Sequence, residues 1–300
     1  TIYMNPRTCQ EEVRPYVTTP MGHVMGWPDA LRNSVAAFYR SILDGSYLTQ
    51  SMPCASFRDG FLGMAFIEAC VRSSHERRWV VNVLVWYENR PLPEAVQAEA
   101  RIYPRGIHGA LADLFDAQDD MCVRTAVMQD PQQGFSDENL AWADVLVYFG
   151  HKHWREVADD RVDLIQRRVL EGMGLILLHS SHASKIFSRL MGTRTQCLRW
   201  RENDEWQRVW LVMPAHPIAA GLNSEYFTIA QDETYGEYFE IPQPDEQVFL
   251  TTSQGGEVLR SGCCWYRGQG RIFYFSSGHE TYPVYYQPEV RQVLLNAVRW

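Results

Sequence analysis

The sequence has 300 residues, of which 46% are hydrophobic and 21% charged, and it carries a net charge of −8. A chain of this length and composition can form one large globular domain or two smaller ones. The excess of acidic side chains lies in residues 80–300, which argues against nucleic acid or an anionic membrane as a partner, because their phosphates require a basic surface.

The seven cysteines are odd in number and follow no regular CxxC spacing. This pattern disfavours a disulfide framework and a structural zinc knuckle. The longest apolar run, Phe61–Val71, is too short to span a bilayer, and no signal peptide is visible. We therefore expect reduced thiols, a cytoplasmic location and no membrane association.

The first part of the chain predicts only helices. Apolar residues recur at helical spacing over Trp27–Leu43, and Gly45 is suited to the end of this helix. A second helix is predicted over Phe57–Ser73. Because two helices and a loop cannot bury both of their faces, residues 1–79 require a partner in the rest of the chain, in another chain or in sequence that is absent here.

Residues 80–300 alternate short apolar runs with amphipathic helices. Such runs are typical of buried parallel strands, and their alternation with helices predicts βαβ units with right-handed crossovers. The predicted strands are Val81–Trp86, Cys122–Met128, Ala143–Gly150 and Gly174–His179, and the predicted helices are Gly106–Phe115, Asp160–Leu170 and Ser184–Met191.

Beyond Leu198 the pattern becomes rich in β-structure. The segment LRWRENDEWQRVWLV predicts a hairpin that turns near Asn203–Asp204. We predict an α/β fold, namely a flavodoxin-like parallel sheet with helices on both faces and a β-rich C-terminal extension. The elements predicted for this extension are strands at Gln247–Thr252, Glu257–Trp265 and Arg271–Phe275, the last two joined by an RGQG turn, and a closing helix, Pro288–Trp300.

Histidines gather at predicted strand ends and helix starts of residues 80–300. Ligands bind outside the carboxyl ends of the strands in open parallel sheets, so several imidazoles should share one crevice. Imidazole suits general acid–base catalysis, and imidazoles grouped with a carboxylate also suit zinc. The alternative is a polar crevice held together by histidine–backbone hydrogen bonds. The histidines concerned are His108, His151, His153, His179, His182 and His279.

The adjacent pair His279 and Glu280 follows the last predicted strand. In the class I glutamine amidotransferase fold, a histidine and a glutamate two residues later occupy that place and activate a cysteine at a tight turn. The corresponding turn here, LLHSSHAS, has no cysteine, so the sequence is similar to that architecture without its thiol nucleophile. Ser180 or Ser181 could replace the thiol, but neither has the G-x-S-x-G surroundings of a serine hydrolase.

Longer motifs lie between about Val80 and Trp300. They include RIYPRGIHGALADLF, ADVLVYFGHKHWREV, GMGLILLHSSHASKIFSRLMGT, PAHPIAAGL, DETYGEYFEIPQPDEQVF and GGEVLRSGCCWYRGQGRIFYFSSGHETYP. Together these motifs resemble the trehalose-utilisation (ThuA-like) family. The resemblance implies the class I glutamine amidotransferase-like superfamily and a role in sugar catabolism, on disaccharides or the 3-keto sugars made from them. Many relatives have a histidine where this chain has Trp154, and His153 beside it is the candidate substitute.

The resemblance also implies the functional residues. We expect His179 or His279 to act as the base that removes a proton next to a carbonyl, which leads to isomerisation, hydration or loss of the glycosidic group. Glu280 is the expected partner of that base, and His151 the expected stabiliser of the oxyanion. The residues expected to bind substrate are His108, His182, Glu233, Glu237 and Tyr282.

Three other uses of the crevice stay open from the sequence. A zinc ion held by His151, His179 and His279 is a candidate cofactor. A non-catalytic sugar-binding or regulatory module is the main alternative to an enzyme. A hydrolase that uses Ser180 is the third hypothesis.

Residues 1–79 resemble a different family. The segments GHVMGWPDALRNSVAAFYRSILDG and ASFRDGFLGMAFIEACVRSSHERRWV are similar to the C-terminal end of a Gfo/Idh/MocA-type sugar dehydrogenase. The G-x-G-x-x-G half of that family is not in this sequence, so no oxidoreductase activity is assigned. We expect two parts, 1–79 and 80–300, with a small-molecule sugar as substrate. A sugar dehydrogenase and a second copy of the chain are candidate partners.

Overall fold

The computed structural model describes residues 27–45, 80–91 and 95–300, together with positions 11, 63, 64, 67 and 93. The chain forms two units, Thr1–Arg78 and Trp79–Trp300. In the first unit, helix α1 spans Trp27–Leu43, with the predicted bounds. The helix predicted over Phe57–Ser73 lies largely outside the described residues.

A single nine-stranded sheet forms the centre of the second unit. Its strands in chain order are β1 Val81–Tyr87, β2 Met121–Val127, β3 Val145–Phe149, β4 Gly174–Leu178, β5 Cys197–Leu211, β6 Tyr226–Phe239, β7 Glu246–Ser253, β8 Val258–Arg267 and β9 Gly270–Phe275. Across the sheet they lie in the order β2-β1-β3-β4-β9-β8-β7-β5-β6. The first five strands of this order pair in parallel, and the other four continue the sheet in antiparallel pairing.

Helices cover both faces of this sheet. The helices of this second unit are α2 Val96–Ile102, α3 Gly106–Asp116, α4 Asp137–Trp142, α5 Asp159–Glu171, α6 Lys185–Met191 and α7 Pro288–Arg299. None of the described helices is long and apolar enough to cross a membrane.

Side chains of successive strand residues enter two separate cores. Val83 and Val85 of β1 belong to the core that contains the apolar sides of α3 and α7, whereas Leu84 and Trp86 belong to the core that contains those of α5 and α6. Because such strands are buried on both faces, they read in the sequence as continuous apolar runs. The predicted α/β class, with helices on both faces of the sheet, is confirmed.

The prediction of a hairpin at Asn203–Asp204 is wrong. Strand β5 runs through this segment without turning back and pairs with β6 on one side and β7 on the other. Its pairing with β6 is shifted between Arg201 and Glu205, which marks a β-bulge, and Asp204 has a φ of +55°. Asparagine and aspartate tolerate this left-handed backbone, so the same residues that favour a turn accommodate the bulge. Strand β6 and helix α2 were not predicted.

Candidate functional site

The carboxyl ends of four neighbouring parallel strands meet at one edge of the sheet. Glu88 follows β1, His151 lies two residues after β3, His179 follows β4, and His279 and Glu280 come shortly after β9. All five side chains are buried. The parallel register therefore brings together residues that are far apart in the sequence, as the positions of the strand ends predict.

Strand β6 reaches the same edge and adds three polar residues, Asp232, Glu233 and Tyr235. Asp232 is fully buried and accepts hydrogen bonds from the backbone N–H groups of Gly278 (2.9 Å) and His279 (3.0 Å). Burial raises the pKa of Asp232 to about 6, although the charge of His179 and these N–H groups oppose the rise. The carboxyl thus anchors the loop after β9 on β6.

Three imidazoles lie side by side at this edge. The ring centroids of His151 and His279 are 4.9 Å apart, those of His179 and His279 are 5.3 Å apart, and those of His151 and His179 are 5.9 Å apart. Each ring is held through Nδ1, by Glu280 Oε1 at 2.5 Å for His151, by the Ser276 carbonyl at 2.9 Å for His179 and by Thr281 Oγ1 at 2.7 Å for His279. Nδ1 is therefore occupied in all three rings, and the Nε2 atom of His179 contacts Glu233 Oε2. We call these three histidines, with Glu233, the histidine cluster.

Glu233 completes the cluster as the partner of His179. Its Oε2 lies 3.0 Å from His179 Nε2 and accepts a hydrogen bond of 2.6 Å from the Tyr235 hydroxyl. Burial acts to raise the pKa of Glu233, but the hydrogen bond and charge of His179 outweigh it and lower the pKa to about 2. Burial likewise acts to lower the pKa of His179, and the Glu233 carboxylate outweighs it and raises the pKa. The pair is therefore stabilised in its charged form.

For two other histidines of the site the pKa is lowered instead of raised. Burial is the main cause that lowers the pKa of His279 and of His182 to about 4, so both rings are neutral at pH 7. Burial acts to raise the pKa of Glu280, but its hydrogen bond to His151 and the charge of that ring lower it to about 2. The ionised Glu233 and Glu280 attract a cation to the crevice, and the neutral rings of His279 and His182 do not repel it.

The histidine cluster has the donor set of a metal site. One ligand atom from each of His151, His179, Glu233 and His279 lies within 4.8 Å of the other three. Imidazole nitrogens with a carboxylate oxygen suit zinc and related divalent ions. Rings that bind a metal usually donate their other N–H to a carboxylate, a carbonyl or a similar acceptor, which is how Glu280 and the Ser276 carbonyl contact His151 and His179.

A second group of potential ligands, His216, Glu246 and Cys264, has a structural explanation. His216 Nδ1 accepts the N–H of Ile218 at 3.1 Å, and its Nε2 faces Glu246 Oε2 at 3.2 Å. Burial raises the pKa of the Cys264 thiol above its usual range. Neither ring nitrogen of His216 is free, and the thiol stays protonated.

His179 lies in the tight turn that follows β4. Its φ is +52°, which is uncommon for a residue other than glycine and often accompanies a functional constraint. The nearby hydroxyls of Ser180 and Ser181 donate to the carbonyls of Gly150 (3.1 Å) and Tyr148 (3.1 Å). Within residues 95–300 neither hydroxyl contacts an imidazole, so the structure does not favour a serine nucleophile.

A cavity of about 170 Å³ adjoins the cluster. Its wall includes the indoles of Trp154 and Trp200, and the Lys152 ammonium lies 5.4 Å from the Trp200 ring. Cys197 also lines the cavity, but burial raises the pKa of its thiol well above the usual range, which makes it a poor nucleophile. His182, Ser180, Ala183, Gln196, His151, Glu233 and Tyr235 form the rest of the wall.

The other predicted site residues have different surroundings. The His108 ring packs against Tyr87, with centroids 5.6 Å apart. Glu237 forms a two-pronged ion pair with Arg260. Tyr282 packs beside His279, with ring centroids 5.8 Å apart.

Sequence reasoning missed Asp232, Tyr235 and the backbone contacts of Glu88, whose carboxylate accepts the N–H groups of Lys152 (2.9 Å) and His153 (3.0 Å). The motif DETYGEY contained Asp232 and Tyr235 and was the available signal for them.

Comparisons with known proteins agree with this architecture. A family model described as ThuA, trehalose utilisation, matches residues 82–300. A solved ThuA-like protein from Parabacteroides merdae is 16% identical, with a TM-score of 0.55 over 74% of this chain and 90% of the other. A solved ThuA-like protein from Bacteroides uniformis is 14% identical, with a TM-score of 0.53 over 74% of this chain and 91% of the other. At these identities the two structures show the fold alone.

No curated protein sequence matches the chain. The family assignment therefore rests on the family model, which covers most of the chain and the whole of the histidine cluster. The chain belongs to the trehalose utilisation (ThuA) family.

Proposed function

We propose that the protein is an enzyme of sugar catabolism that acts on a disaccharide or on a 3-keto-glycoside made from one. The family description supports a role in sugar utilisation. The observation that carries the proposal is the convergence of His151, His179 and His279 in one buried crevice, each with its Nδ1 already held by a partner. Such an arrangement leaves the Nε2 atoms of His151 and His279 for a ligand, while His179 Nε2 is paired with Glu233.

A divalent metal ion such as zinc is the proposed cofactor. His151, His179, His279 and Glu233 would hold it, because their ligand atoms already lie near one another. When bound, such an ion polarises a carbonyl or hydroxyl oxygen and stabilises negative charge on it. Glu280 and the Ser276 carbonyl keep two of the ligand rings in their orientation.

Proton transfer is assigned to His182, the remaining histidine of the cavity wall. A keto group acidifies the neighbouring C–H of a sugar, so one well-placed base suffices. His182 Nδ1 lies 3.2 Å from the His179 carbonyl oxygen, which orients the ring. Because the ring is neutral at pH 7, its Nε2 lone pair can take the proton. The outcome is isomerisation, hydration or loss of the glycosidic group.

The test is turnover of 3-keto-glucosides by protein purified without an affinity tag, with its metal content measured by mass spectrometry. We expect H179A and H279A to lose both metal and turnover. We expect H182Q to keep the metal and lose turnover by at least about 100-fold. The matched control is H216Q, which removes a buried histidine from the second ligand group and should retain both.

Each other outcome identifies a different function. Sugar binding without turnover by the parent protein would indicate a non-catalytic sugar-binding module. Turnover by metal-free protein that is insensitive to chelators would contradict the metal and return the proton chemistry to His179 or His279. Equal turnover of H182Q and the parent would contradict the role of His182.

A further inference from the structure

The loop after β9 is held by two carboxylates that come from the bulge in β5. The Thr281 hydroxyl donates to Glu202 Oε1 at 2.9 Å, and the Tyr282 hydroxyl donates to Asp204 Oδ1 at 2.9 Å. Both carboxylates lie in the segment of β5 whose register with β6 is shifted. Bulges often re-aim side chains beside functional sites. Here the bulge directs Glu202 and Asp204 toward the two residues that follow His279 and Glu280 in the chain.

The three rings of the histidine cluster differ in what holds their Nδ1 atoms. His151 faces an ionised carboxylate and His179 faces a carbonyl. Both partners only accept hydrogen bonds, so each requires a proton on Nδ1. His279 faces the Thr281 hydroxyl, which can either donate or accept. This hydroxyl alone does not decide where the proton of the neutral His279 ring lies.

Glu202 removes that ambiguity. An ionised carboxylate accepts only, so the single hydroxyl proton of Thr281 is directed to Glu202. Thr281 Oγ1 can then only accept from His279, and the proton of the neutral ring must be on Nδ1. In the opposite tautomer two lone pairs would face each other across 2.7 Å. The Thr281 N–H donates to Nδ1 at 3.2 Å and by itself favours the opposite tautomer, but the Oγ1 contact of 2.7 Å is shorter and outweighs it.

We propose that Glu202 is a positioning residue that acts through Thr281 to fix the His279 tautomer whose Nε2 lone pair faces the histidine cluster. Glu202 itself does not reach the crevice, since its side chain is 40% exposed and its carboxylate lies 3.6 Å from His279 Nδ1 on the far side of the ring. The effect on turnover rests on the proposed function, whereas the tautomer is a property of the protein alone.

Variants of Glu202 and Thr281 test this chain of hydrogen bonds. In E202Q the new amide can donate to Thr281 Oγ1, which frees the hydroxyl proton to point at His279 and favours the opposite tautomer. T281V removes the link, and T281S keeps it. E205Q is the matched control, because Glu205 lies in the same bulged segment but pairs with Arg201 instead of the loop after β9. Thermal unfolding of each variant shows that it folds.

The readout is the ¹⁵N NMR shift of the two ring nitrogens of His279 in the full-length protein, assigned with H279Q. We expect protonated Nδ1 in the parent, T281S and E205Q, and a shift toward protonated Nε2 in E202Q and T281V. Where turnover of 3-keto-glucosides is detected, kcat should fall about 10- to 100-fold in E202Q and T281V, with KM little changed.

An unchanged His279 tautomer in folded E202Q would overturn the proposal, as would identical spectra for T281V and T281S. A changed tautomer without turnover in any protein, the parent included, would support the positioning role and contradict the proposed function. The two hypotheses therefore fail separately.

Discussion

The pKa values of the buried carboxyl groups depend on the groups that their oxygens face. Glu233 and Glu280 each face an imidazole, which lowers their pKa values to about 2 despite burial. Glu99 of α2 receives a hydrogen bond of 2.8 Å from the Tyr87 hydroxyl, and burial raises its pKa to about 7 although that hydrogen bond and His151 oppose the rise. Its second oxygen is buried and has no hydrogen-bond partner within the described part of the chain. Ionising Glu99 is therefore unfavourable in the folded state.

Replacing Glu99 with glutamine should change how stability depends on pH. The pKa of Glu99 is higher in the folded chain than in the unfolded chain, where it is about 4.3. The carboxyl therefore contributes stability at low pH, and this contribution is lost as the pH rises toward about 7. Relative to that of E99Q, the free energy of unfolding of the parent should fall by roughly 2 kcal/mol between about pH 4 and pH 8.

Urea unfolding of both proteins across this range measures the difference. E138Q, at an exposed position of α4, is the control and should follow the parent. A constant difference between the parent and E99Q at all pH values would contradict the raised pKa.

At the scale of elements, helix α5 packs closely against the first residue of β9. A Cβ added at Gly270, the first residue of β9, would collide with the carbonyl oxygen of Val169 near the end of α5. Gly192 after α6 has a φ of +70° and open space around its Cα. The two glycines thus serve different purposes, close approach at one position and backbone freedom at the other.

Alanine at these glycines should separate the two purposes. G270A must push α5 away from β9 and should lower the free energy of unfolding by about 3 kcal/mol. G192A causes no collision, but alanine is strained in this left-handed backbone conformation, so the free energy of unfolding should fall by about 1 kcal/mol. Denaturant unfolding measures both values. Equal losses would show that α5 can move away from β9 without strain.

The elements that the sequence predicts best are those buried on both faces. Strands such as β3 and β4 are apolar throughout, and the strand-end positions of His151, His179 and His279 follow from them. Strand β5 and the unpredicted β6 mix polar and apolar residues, and their bulge depends on pairing between segments distant in the sequence. For the same reason Asp232 could not be placed, because it meets His279 only through that pairing.

At the scale of the whole molecule, all nine described strands belong to the unit Trp79–Trp300. The family model matches within the same unit. A sheet with helices on both faces has its own core, so it has what an independent folding unit requires.

A fragment of residues 79–300 should therefore fold alone. We expect one cooperative thermal transition with a Tm within roughly 4 °C of the corresponding transition of the full chain, since about 1 kcal/mol shifts Tm by 2–4 °C at this size. Differential scanning calorimetry measures both proteins. Aggregation of the fragment, or a much lower Tm, would show that residues 1–78 stabilise the larger unit.

The central pairing of β4 with β9 has a consequence for the order of folding. This pairing joins Leu175 to Ile272, and without it His179 and His279 have no common edge. Contacts between such distant segments form slowly, because a long loop must close first. During synthesis the ribosome must pass β9 before the crevice can exist. A ligand that requires the crevice can therefore bind only a chain in which β9 has paired with β4, and its binding reports that this pairing has formed.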